Sequence, residues 1–156
     1  MAVDVTASLD TAGPPDRLRT WVRDLGRYPE WLGIVPRADP EDPPAGAADT
    51  VGRPAWSVEL RAKLGPLARS KRLRMVRTLD EVDHVRFERW ELDGRDHSPW
   101  VLEARVVAID EGSRLTMLLH YGGTFGTGIL ERLLADEIEA SKPRLRALVE
   151  AAPPAC

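Results

Sequence analysis

Cysteine is almost absent from this sequence: its one copy, Cys156, is the last of 156 residues. No intrachain disulfide and no multi-cysteine metal site can then be built, and a reducing cytoplasm is the expected compartment. Long apolar runs are missing too. The opening MAVDVTASLD carries no basic segment followed by an apolar one, and nowhere do about 18 apolar residues follow one another, so neither a secretory signal nor a membrane span is predicted. Positive charge is not in excess either. A formal net charge of -3 and a pI near 5.7 give no field to draw nucleic acid or an anionic membrane. A nucleophile elbow, HExxH and paired metal-ligand spacings are all lacking, so neither a metal nor a cofactor is expected.

What is present is a globular balance, 43% apolar and 30% charged residues. A chain of this length buries roughly two-thirds of its unfolded surface, enough for one core. A single domain over residues 1–150, followed by a frayed tail at 151–156, is the expectation.

Val3, Val5, Ala7 and Leu9 alternate with Asp4, Thr6 and Ser8, the period of a half-buried strand. Gly13-Pro14-Pro15-Asp16 breaks it, and Leu18, Trp21, Val22 and Leu25 then recur at helical spacing until Gly26. Tyr28 to Leu32 reads as a second helical turn with Pro29 in its first turn. From Pro36 to Pro54 the chain is rich in Pro, Gly, Ala and Asp and reads as a loop, either a lid or rim or simple surface disorder.

Strand-like runs follow one another from there: Trp56 to Arg61, Leu73 to Leu79, Val82 to Leu92, Trp100 to Ala108 and Leu115 to Tyr121, separated by short turns. An antiparallel meander is the economical arrangement. The basic stretch from Arg69 to Arg77 alternates with Leu73, Met75 and Leu79, which fits a strand with one solvated face better than a nucleic-acid patch. After Gly122-Gly123 the period changes. Ile129, Leu130, Leu133, Leu134, Ile138, Leu145, Leu148 and Val149 mark one stripe of a helix ending near Glu150, which Pro143 should kink or interrupt.

This order of strand, two short helices, meander and long final helix resembles the helix-grip fold of the START-related SRPBCC superfamily. The likeness is nearest to the bacterial polyketide cyclase/dehydrase and lipid-transport branch. Tyr28-Pro29-Glu30-Trp31 and Gly112-Ser113-Arg114-Leu115-Thr116 carry it, and it spans nearly the whole chain. The resemblance implies an α+β fold in which a curved antiparallel sheet of about six or seven strands grips the C-terminal helix. It also implies that Trp31 packs beneath the helical turn and that Gly112 shapes a hairpin. Members bind lipids, sterols, polyketides or plant hormones, and some cyclise or dehydrate polyketides, so the fold leaves the function open. The partner expected here is a hydrophobic small molecule; oligomeric state is not predicted.

The cavity lining expected from the alternation is Trp56, Val58, Leu60, Leu73, Phe87, Trp100, Leu102, Met117, Leu119 and Tyr121 on the sheet, facing Leu130, Leu134 and Ile138 on the helix. Catalytic residues are not identified. The candidates are His97, in a loop at a sheet edge, where an imidazole could move protons near neutral pH; Arg89 and Glu91; and Tyr121 as a phenolic donor. His84 is expected on a turn and His120 facing solvent. The strand from Val82 to Leu92 poses a parity problem. If Phe87 points inward, Arg89 and Glu91 follow it and must pair to offset desolvation; a β-bulge near Arg89 would instead bury Phe87 with Trp90. The glycine-rich run from Gly122 to Gly128 lacks a P-loop lysine and suits a turn into the helix better than a phosphate site.

Overall fold

The computed structural model describes residues 3–41, 53–64, 67–123 and 127–151. Strand β1 (Val3–Thr11) leads to helix α1 (Pro15–Val22) and a 3-10 turn (Leu25–Glu30). Strands β2 (Arg37–Glu41), β3 (Ala55–Leu64), β4 (Leu67–Asp80), β5 (His84–Arg89), β6 (Trp100–Ile109) and β7 (Gly112–Tyr121) follow, and helix α2 (Thr127–Glu150) ends the fold. The sheet is antiparallel in the order β1-β7-β6-β5-β4-β3-β2. Every consecutive pair from β2 to β7 is a neighbour joined locally, whereas β1 pairs with β7 along its whole length, from Val3 opposite Tyr121 to Thr11 opposite Ser113. The architecture is the helix-grip α+β fold.

One end of the grip is a clasp of small polar contacts. Thr11 Oγ1 and Ser113 Oγ are 3.0 Å apart, and Ser113 Oγ donates to Gly13 O at 2.8 Å. Glu150 Oε2 accepts the main-chain N–H of Ala12 at 2.8 Å, and Arg17 Nη1 donates to Ala151 O at 2.8 Å. The end of α2 is thereby tied to the turn after β1. Gly112 sits in the same corner with φ +154°, and a Cβ there would lie 1.9 Å from Thr11 O. Only glycine fits that approach, as the hairpin reading of Gly112 anticipated.

Three local expectations are corrected. Residues 37–41 lie in the expected loop but form β2, because β3 would otherwise present a long unpaired edge; Pro40 is tolerated there because β2 is itself the edge strand. The question of a lid over residues 42–52 lies outside the described residues. The second helical turn begins at Leu25 rather than Tyr28, since Asp24 accepts the N–H of Gly26 at 2.8 Å and nucleates it early, leaving Pro29 inside the turn. Helix α2 runs through Pro143 without a break, so the interruption named as one of the two outcomes there does not occur. The missing N–H costs one bond, and burial of Leu134, Leu145 and Val149 on either side holds the helix together.

The parity of β5 is settled with Phe87 fully buried on the inner face, flanked by Val85. The strand is shorter than the apolar pattern suggested, and Val82 and Leu92, at its expected ends, are exposed. The irregularity lies in β4, between Arg77 and Leu79, and not at Arg89. His84 is the first residue of β5 rather than a turn residue, buried with its Nε2 2.8 Å from Glu103 Oε1. His120 pairs with Asp4 at 2.7 Å on the outer face.

Candidate functional site

Parity along each strand determines what faces the helix. Val5 and Leu119 pair across β1 and β7, and Leu102 pairs with Leu119 across β6 and β7, so their side chains share the inner face. Together with Met117 and Leu115 they form the floor of a cavity of about 60 Å³. Its roof is Leu134, Ile138 and Leu145 of α2, and its side wall is Trp31, Leu32 and Ile34 after the 3-10 turn.

The polar side chains at its margin are all engaged elsewhere. Ser141 Oγ donates to Ile138 O at 2.6 Å, Lys142 Nζ to Glu139 Oε1 at 2.6 Å, and the Ser8 hydroxyl lies 3.3 Å from that of Thr116. The cavity therefore offers a guest a mostly apolar surface whose few polar side chains already hold partners within the protein. Its size suits one small apolar moiety, well short of the roughly 300–1,000 Å³ of a typical small-molecule site. A larger guest requires α2 and residues 31–34 to part.

The other half of the grip is packed with aromatic rings among the described residues. Tyr28 packs 4.7 Å from Trp31 and 6.1 Å from Phe87, and Trp56 meets Phe87 at 5.6 Å. Tyr28 donates its hydroxyl to Val22 O at 2.8 Å, and burial pushes its pKa up. Among the residues expected to line the cavity, Leu102, Met117, Leu119, Leu134 and Ile138 do so. Trp56, Val58, Leu73 and Phe87 belong to the packed core, while Leu60 and Leu130 pack against it. Val5, Ala7 and the 31–34 segment were not expected at the cavity. Ser141 and Leu145 were legible in principle, since residues 134, 138, 141 and 145 fall on one helical stripe.

Trp100 and Tyr121 lie one inward-facing position beyond Leu102 and Leu119, with ring centroids 4.5 Å apart. The space a side chain on Gly123 would need is taken by the Tyr121 hydroxyl. Gly123 must therefore lack a Cβ for Tyr121 to lie where it does.

Arg89, Glu91 and His97 come together at this same end of the sheet. Arg89 Nε donates to Glu91 Oε2 at 2.8 Å, Nη1 to Ser98 O at 3.3 Å and Nη2 to His97 Nδ1 at 3.2 Å. Because Nδ1 accepts from Arg89, the imidazole proton sits on Nε2, which donates to Asp93 Oδ2 at 2.8 Å. Both ring nitrogens of His97 are thus engaged. Two main-chain and side-chain donors, Arg95 N–H first and then His97, hold the Asp93 carboxyl below its ordinary value of 3.8. Lys71, on the neighbouring part of β4, has its amine drawn below the usual range by desolvation and then by the charge of Arg89. Among the described residues no group of His, Cys, Asp and Glu is arranged to hold a metal ion.

Comparison with known proteins agrees with this geometry. Residues 2–150 match the family described as polyketide cyclase / dehydrase and lipid transport, and the chain belongs to that family. No curated protein matches. A START superfamily protein from Mycobacterium smegmatis is 15% identical with a TM-score of 0.68, covering 96% of this chain and 97% of that one. The aromatase/cyclase Zhui from Streptomyces sp. R1128 is 12% identical with a TM-score of 0.66, covering 96% and 93%. The di-domain aromatase/cyclase StfQ of the steffimycin biosynthetic pathway is 17% identical with a TM-score of 0.67; it covers 96% of this chain, which spans 51% of StfQ. At such identities the likeness is one of fold. No helix among the described residues is long and apolar enough to cross a membrane.

Proposed function

We propose that residues 1–150 form one ligand-binding domain that holds the apolar part of a hydrophobic small molecule between the sheet and α2. The observation that carries this reading is the cavity walled by Leu102, Leu119, Leu134 and Ile138, whose marginal polar groups are all engaged elsewhere. Family membership supports it. Native mass spectrometry and thermal-shift measurements over a panel of fatty acids, aromatic ketones and polycyclic hydrocarbons test it. Binding of at least one class with a raised Tm is expected, and no binding across the panel would overturn it.

The aromatase/cyclase neighbours favour a second reading, cyclisation or dehydration of a polyketide-like chain in the same cavity. Orientation of a reactive chain would do most of that work. Turnover of a poly-β-ketone analogue, lost in Arg89→Met or Tyr121→Phe, is its expected signature; unchanged turnover in both variants removes these residues from the chemistry.

A further inference from the structure

Buried indole N–H groups usually find an acceptor, because leaving one unmade in the interior forfeits a hydrogen bond that water would supply. Trp100 is 7% exposed, and its Nε1 has no partner among the described residues. Arg89 and Trp100 flank the last paired position, Glu88 opposite Val101, on adjacent strands, and all three donor nitrogens of Arg89 are bonded to Glu91, Ser98 and His97. Lys71 lies on the more distant strand β4.

The position of this unused donor is informative. Trp100 shares its face with Leu102, which lines the cavity, and it stacks on Tyr121, which shares its face with Leu119, also in the lining. Neither ring lines the cavity, and the indole N–H is itself fully buried, so a guest that extends past Leu102 and Leu119 reaches it only by displacing the Trp100–Tyr121 pair. The indole N–H is a neutral buried donor without a partner among the described residues.

We infer that Trp100 Nε1 is the hydrogen-bond donor that receives a carbonyl oxygen of the bound molecule, so that this site selects carbonyl-bearing ligands over their hydrocarbon counterparts. The inference rests on the cavity reading above. It assigns the two ends of the grip different tasks: the α2 side supplies apolar burial and the Trp100 side supplies polar selection.

A matched pair of probes, 1-tetralone and tetralin, separates these tasks, because they share a bicyclic skeleton and differ at a single carbonyl. Calorimetric titration of the intact chain should show tetralone binding about tenfold tighter than tetralin, the size of one buried hydrogen bond. Trp100→Phe keeps the ring and removes the N–H. In that variant the preference should fall to near one while tetralin affinity is retained, which also reports that the variant is folded. Wild-type protein labelled with 15N at its indoles gives a reading free of mutation: the Trp100 Nε1–H resonance should move downfield with tetralone and hold with tetralin. Equal affinities in the wild type, or a preference undiminished in Trp100→Phe, would overturn the assignment while leaving the cavity in place. Binding of neither probe would overturn this assignment, and the cavity reading would fall with it only if the fatty acids and the rest of the panel also fail to bind.

Discussion

Glu91 holds Arg89 at 2.8 Å on the inner face of the sheet, and its other oxygen accepts the main-chain N–H of Arg74 at 3.2 Å. The side chain of Arg89 is 6% exposed, so its charge depends on that carboxylate. Glu91→Leu should therefore cost about 2–3 kcal/mol of unfolding free energy, whereas Arg89→Met combined with Glu91→Leu should cost less than either Arg89→Met or Glu91→Leu alone. Urea denaturation of the three variants checks this, and additive losses would contradict it. Asp93 behaves differently because it is open to solvent. Its lowered pKa means that its bonds to Arg95 and His97 are fully present above the unfolded value and are lost as pH falls through the folded one. NMR titration should find the Asp93 carboxyl half-protonated below pH 3.8. Replacement of His97 by Ala should bring it part of the way back, with the Arg95 N–H accounting for the rest.

At the scale of elements, α2 is held unequally. Its C-terminal turn is fastened by Glu150 to Ala12 and by Arg17 to the carbonyls of Val149 and Ala151, while Val149 presses on Gly13. Towards its start, Ile129 is exposed and Leu130 and Leu133 are only partly buried. Because local opening follows the density of such contacts, amide exchange should be faster over residues 129–136 than over 141–150. Arg17→Ala should raise exchange selectively in the last turn. Uniform protection along α2 would argue against an opening at its N-terminal half.

For the molecule as a whole, a cavity of about 60 Å³ is a packing defect placed where the helix crosses the sheet. Leu134, 3% exposed, forms part of its roof. Leu134→Ala should cost about 3 kcal/mol, the usual consequence of enlarging a buried void. It should also let the protein take up benzene, which restores part of the lost stability by mass action. A Tm that does not respond to benzene in this variant would mean that the site collapses instead of opening.

The sequence by itself determined the class of fold and most of its elements. Alternation in β1, β3, β6 and β7 and the stripe from Leu130 to Val149 are local periodicities, and local periodicity reports which face is buried. It also stated the choice in β5 correctly, as charge that must pair if Phe87 points inward. Tertiary structure alone decided the rest. β2 exists because β3 needed a neighbour, which no composition of residues 37–41 declares. The cavity lies towards β1 and β7 instead of under Trp56 and Phe87 because the 3-10 turn delivers Tyr28 and Trp31 into one half of the grip and fills it. Which half of a curved sheet remains unfilled depends on side chains brought together across the chain. No spacing within one segment encodes that sum of volumes.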